Sequence, residues 1–126
     1  MSVDKNDPSG PESRRFQRVP LTGKTHISFV GEETVFHAMI DNVNRGGIGV
    51  YSKKPLAIYK DVRLRLEFTN MKGTKVTEEL QGRIVRVTPW NRVYIIGIAF
   101  NTIVTTASHP HLFAYLEQTE KRSSCG

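Results

Sequence analysis

A chain of 126 residues with a single cysteine, Cys125, has the length of one domain with its own core, and one thiol excludes both a disulfide framework and a cysteine-rich zinc site. Its net charge of +6 is uneven, with ten Lys/Arg against four Asp/Glu in residues 53 to 92 and eight of each elsewhere, so a basic face is expected to steer toward phosphates on nucleic acid, a nucleotide or a lipid headgroup. No apolar run reaches the roughly 18 residues of a bilayer span, and "MSVDKNDPSGPES" lacks the apolar region of a secretory signal, which points to a cytoplasmic protein with no membrane partner.

Residues 1 to 13 are rich in Pro, Gly, Ser and Asp and carry no aromatic side chain. They bury too little surface to offset ordering entropy and are expected as a disordered tail. An arm, residues 14 to 22, follows with "RRFQRVP". From Lys24 the dominant period is two, clearest in "VRLRLEF", where Val62, Leu64, Leu66 and Phe68 face one way and Arg63, Arg65 and Glu67 the other. The same pattern predicts strands near 24 to 30, 34 to 42, 47 to 52, 62 to 69, 76 to 88 and 92 to 101. Turn signals separate them at Gly31-Glu32, Arg45-Gly46, Met71-Lys72-Gly73 and Pro89-Trp90-Asn91. Six strands at hairpin spacing predict an all-β fold, a six-stranded antiparallel β-barrel.

The period then changes. Ser108 as a cap, Pro110 in the first turn and an apolar stripe of Leu112, Phe113 and Leu116 predict a C-terminal α-helix over about 109 to 120 that packs on the barrel. One domain over 14 to 120 results, with 121 to 126 as a second tail.

Signatures of catalysis are missing. The phosphate-loop lysine, HExxH, GxSxG and GxGxxG do not occur, and "GGIGV" enters a strand where a dinucleotide loop would enter a helix. His109 and His111 diverge by about 200 degrees on a helix and could not chelate together. His26 and His37 read as strand histidines. No nucleophile, base and orienting carboxylate assemble, so no catalytic residue, metal site or cofactor is expected, and the chain is not expected to be an enzyme.

Two stretches carry binding chemistry instead. Arg14 and Arg18 are four apart and share a face if the arm makes one helical turn. A guanidinium fork bonds in bidentate fashion to carboxylate, to phosphate or to the O6/N7 edge of guanine. A solvated basic arm is the plain alternative. In "DNVNRGGIGV", Asn42 and Asn44 fall on one side of an extended chain, and Gly46 and Gly47 permit a positive-φ turn with close approach of a ligand to backbone N–H groups. Alone, this stretch would equally serve as a hairpin.

"RRFQR" followed by "NVNRGGIGV", with "GRIVRV" and "VYIIGIAF" downstream, resembles the PilZ domain. Its pattern is R-x-x-x-R and then D/N-x-S-x-x-G on a six-stranded barrel with a C-terminal helix. Arg14 and Arg18 match the first motif, Asn42 and Gly47 the ends of the second, and Asn44 stands where the pattern has Ser. The resemblance implies a receptor for the bacterial second messenger cyclic di-GMP. Arg14 and Arg18 would grip guanine edges and phosphates, with Arg15 adding attraction, while Asn42, Asn44, Gly46 and Gly47 hold the other side of the ligand. Trp90, at a predicted hairpin tip, could stack on a guanine.

The same resemblance implies a conformational signal to an unidentified protein partner, in motility or exopolysaccharide control, from a monomer or a ligand-dependent dimer. Two alternatives stand beside it. One is a small barrel for single-stranded nucleic acid, which would use Phe68, Trp90, Tyr94 and Phe100 and is the less favoured because Phe68 and Phe100 fall in apolar positions. The other is a barrel that has lost its ligand and serves only protein interaction.

Overall fold

The computed structural model describes residues 17–125. Seven strands and one helix follow in chain order: β1 Val19–Pro20, β2 Gly23–Phe29, β3 Phe36–Asn44, β4 Gly47–Ser52, β5 Asp61–Thr69, β6 Lys75–Trp90, β7 Val93–Phe100 and α1 Pro110–Cys125. The tail and Arg14 and Arg15 lie outside the described residues.

Alternation of branched apolar and polar residues drives the pairing. In β5, Val62, Leu64, Leu66 and Phe68 are buried while Asp61, Arg63 and Arg65 are exposed, which commits one face of the strand to a core. All neighbours are antiparallel, in the order β3-β2-β5-β6-β7-β4, and pairing of β4 back onto β3 closes a six-stranded barrel. Closure removes the free edges a sheet would otherwise expose. Ile27, Val50, Leu64, Leu66, Ile84 and Ile96 fill its interior.

The additional strand, β1, is part of the segment expected as an arm. Phe36–Met39 of β3 face β2, whereas further along the same edge Asn42 pairs with Pro20 and Val43 with Val19. Val19 and Leu21 are buried, so the arm is docked from Val19 onward.

The last hairpin differs from its expected form. Pro89 and Trp90 belong to β6, opposite Tyr94 and Val93, and the turn is Asn91-Arg92, with φ of 49° and 71°. Two positive φ values match the right-handed twist of a two-residue hairpin, so twist matching sets the turn two residues beyond Pro89.

Helix α1 packs on the barrel core with Leu112 and Leu116, both fully buried. Its N-terminal cap also departs from expectation. Ser108 binds the Thr105 backbone N–H at 3.0 Å, and the open N–H groups of the helix reach Glu78 instead. The Glu78 carboxylate accepts from His111 N at 2.7 Å and from Leu112 N at 3.0 Å. The strand contributes the anion that a helix N-terminus attracts.

Gly82, shared by the β5 and β7 pairings, sits where a Cβ would lie 2.4 Å from the Ala99 carbonyl oxygen. Relief would require backbone movement. A Gly82→Ala variant is expected to lose about 1 to 3 kcal/mol of stability, read as a lower urea midpoint with an unchanged slope; an unmoved midpoint would show that the strand crossing is looser than its geometry.

Candidate functional site

Two β-bulges decide what the outer wall of the barrel presents. In β3, Ala38 and Ile40 are buried, then Val43, and the register shift between Ile40 and Asn42 accounts for the change of phase. In β6 the shift lies between Ile84 and Arg86. An extra residue in one strand re-aims the side chains that follow it. Asn42 and Arg86 therefore point outward.

They belong to one transverse row. Asn42 faces Gly49, Gly49 faces Gly97 and Gly97 faces Arg86, a span of about 14 Å at ordinary strand spacing. The Asn42 amide lies flat over Gly49, with Oδ1 and Nδ2 each 3.2 Å from where a Cβ would stand, while Arg86 leans over Gly97 with Nε at 3.6 Å. Two side chains thus bend toward each other across a floor without side chains. Glycine inside a strand often marks such a close approach. Gly49, Gly97 and Arg86 were not among the residues singled out from the sequence; a glycine amid the branched residues of each strand was the available signal.

The arm reaches the same row. Arg18 Nη1 donates to Asn42 Oδ1 at 2.8 Å, and Asn42 Nδ2 donates to Asp41 Oδ2 at 2.7 Å. Arg18 is held there by the backbone after it, because Pro20 pairs with Asn42 and the Tyr115 hydroxyl of α1 donates to the Pro20 carbonyl at 2.7 Å. Arm, β3 and helix meet at one place.

The glycine turn behaves differently from its sequence reading. Neither Gly46 nor Gly47 has a positive φ; among the described residues the glycines that do are Gly31 and Gly73. The turn is held by Asn44, fully buried, whose Oδ1 accepts from Gly46 N at 2.8 Å. A side-chain oxygen bonding the N–H two residues on is an Asx turn, which stabilises the bend without left-handed backbone. Phe100 N donates to the Gly46 carbonyl and Val104 N to that of Arg45. The Arg45 guanidinium lies 4.8 Å from the centre of the Phe113 ring, so the turn also leans on α1.

Beyond the row stand Tyr51 and Trp90, stacked with ring centres 6.2 Å apart and planes at 30°. Trp90 remains 54% exposed, enough to offer an aromatic surface. Desolvation and the neighbouring Asp41 carboxylate push the Tyr51 hydroxyl above its ordinary pKa, so it remains protonated, a hydrogen-bond donor, at neutral pH. Among the described residues no cluster of His, Cys, Asp and Glu could hold a metal, and no helix is long and apolar enough to cross a membrane.

The PilZ domain family model matches residues 12–118, most of the chain. The chain belongs to the PilZ domain family. No curated relative matches. Among solved structures, this PilZ domain is similar to the Bacillus subtilis inhibitor of motility MotI/DgrA, at 16% identity and a TM-score of 0.64 over 87% of this chain and 51% of that one. It spans about half the length of that protein. It is similar also to the PilZ domain with c-di-GMP of YcgR from Escherichia coli, at 11% identity and a TM-score of 0.60, covering 88% of this chain and 96% of that one. At these identities the likeness concerns the fold.

Proposed function

We propose that this PilZ domain is a cyclic di-GMP receptor without enzymatic activity, whose ligand lies along the Gly49–Gly97 floor between the arm and Arg86. The observation that carries the reading is the 2.8 Å bond from Arg18 to Asn42, which joins the two family motifs across 24 residues of sequence at the edge of that floor. Arg18, with Arg14 and Arg15 ahead of it, supplies planar donors for guanine O6/N7 edges and phosphates. Asn42 supplies an acceptor for guanine N1 and N2 donors. Arg86 adds a cation on the far side, and Trp90 an exposed ring for stacking.

Asn44 in place of Ser is compatible with this role. Its side-chain oxygen bonds Gly46 N, a task a serine hydroxyl also performs in turns of this type. Asn44, Gly46 and Gly47 then act by shaping the turn beneath the ligand. The nucleic-acid alternative is weakened because Phe68 is buried and Tyr94 and Phe100 pack against the core, leaving Trp90 without a series of stacking partners.

Since β1 is already paired, closure on the ligand is confined to the residues before Val19, and the reshaped arm is the surface a protein partner reads. Motility control is the output suggested by the similarity to a motility inhibitor. Calorimetric titration with cyclic di-GMP, with linear GpG and GTP as controls, tests the reading. Saturable binding of the cyclic ligand is expected, with about 2.7 kcal/mol of added stability at 100 times the dissociation constant. Absence of both heat and thermal stabilisation would leave an interaction module that takes no ligand.

A further inference from the structure

The two barrel strands outside the glycine row are β2 and β5, and with the first half of β6 they carry a recess of their own. The cavity measures about 710 Å³ and includes His26, Ser28, Arg63, Arg65, Gln81 and His109 in its lining. Its floor is two cross-strand rows: His26 faces Arg65 and Arg65 faces Glu79, while Ser28 faces Arg63 and Arg63 faces Gln81. One end is closed by His109, whose Nε2 is 2.7 Å from the Glu79 carbonyl oxygen.

The charges here are not used up within the fold. Nearby, Arg83 is paired with Asp61 at 3.1 Å and Lys24 with Glu67 at 3.8 Å. Arg63 and Arg65 are exposed and have no hydrogen bond or ion pair among the described residues. Two arginines face one carboxylate in the lining, that of Glu79, while desolvation lowers the pKa of His26 and favours its neutral form. The Nδ1 of His26, 17% exposed, is buried without a hydrogen bond and lies 3.7 Å from the Glu67 carboxylate.

Geometry narrows the class of ligand. Arg63 and Arg65 project from alternate positions of one strand, about 7 Å apart, the spacing at which an extended peptide repeats side chains on one side. Val35, 46% exposed, gives the recess an apolar edge, suited to short side chains. Phe, Tyr and Trp are missing from the lining, so a nucleobase would find only histidine rings on which to stack. We infer that this recess docks an extended acidic segment of a partner protein, whose alternate carboxylates meet Arg63 and Arg65. The site shares no residue with the glycine row, and it stands whether or not the row binds a nucleotide.

A fluorescein-labelled peptide of alternating glutamate and threonine, titrated at low salt and followed by anisotropy, tests the inference on the full chain. Wild-type protein is expected to bind saturably, and the Arg63→Gln/Arg65→Gln double variant about 5- to 10-fold more weakly. Lys72→Gln/Lys75→Gln removes the same charge from the β5–β6 turn and the first residue of β6 and should leave affinity within about twofold. Cyclic di-GMP titrated into both double variants reads the other site separately. Equal losses in the two variants would reduce the effect to net charge and overturn the proposal, as would no binding by the wild type. Displacement of the peptide by a lower concentration of oligothymidylate or inorganic phosphate would overturn it too, making the recess a phosphate site.

Discussion

Arg18→Ala is expected to weaken cyclic di-GMP binding by about 5- to 150-fold, roughly 1 to 3 kcal/mol, the range for loss of one bidentate contact to a base edge. The side chain is exposed, and its bond to Asn42 is at the surface. Removing it should therefore leave the melting temperature of the free protein nearly unchanged, which separates a ligand effect from misfolding. Arg18→Lys keeps the charge and loses the planar fork, so an affinity between wild type and alanine is the expected signature of bidentate recognition. Calorimetry returning wild-type affinity for Arg18→Ala would remove this arginine from the site, and with it the junction between the two motifs.

The largest effect on stability is expected at Glu78. Its carboxylate, 8% exposed, accepts from two N–H groups at the start of α1. Alanine there would strand donors that the helix cannot satisfy itself. Hydrogen bonds to charged groups contribute about 1.5 to 3 kcal/mol each; because the two share one acceptor, a combined loss of roughly 2 to 4 kcal/mol is expected for Glu78→Ala in urea unfolding. Glu78→Gln retains one acceptor oxygen and should lose less. Equal losses for the two variants would assign the effect to packing, and wild-type stability in both would mean the helix docks through Leu112 and Leu116 alone.

Much of the barrel could be read from the chain because its strands bury one face. In β5 the alternation from Val62 to Phe68 leaves one register compatible with a core. The helical stripe of Leu112 and Leu116 was legible for the same reason. The pairing of Val19 and Pro20 with β3 was hidden, since two residues hold no period and a proline argues against a strand; they pair because β3 outruns β2. The cap was misread because Ser108 is a good local candidate, whereas Glu78 is 33 residues from His111 and becomes its partner only through tertiary packing. For the candidate site, the motif residues Arg18 and Asn42 could be picked out but their contact could not. Gly49, Gly97 and Arg86 form a row only after four strands are in register, and the bulges that aim two of its members leave no mark in composition.

Those bulges bear on how this barrel can vary. Beyond Ile40 and beyond Ile84, inside and outside are assigned by residue count, so deleting one residue at either place would turn every later position of that strand over. Asn42 would enter the oily interior while Val43 met water, with no change in chemistry anywhere along the chain. Length changes should accumulate in the Gly31 to Val35 connection, where backbone is free to absorb them, and be purged from the two offsets. In this wall, spelling is negotiable and counting is not.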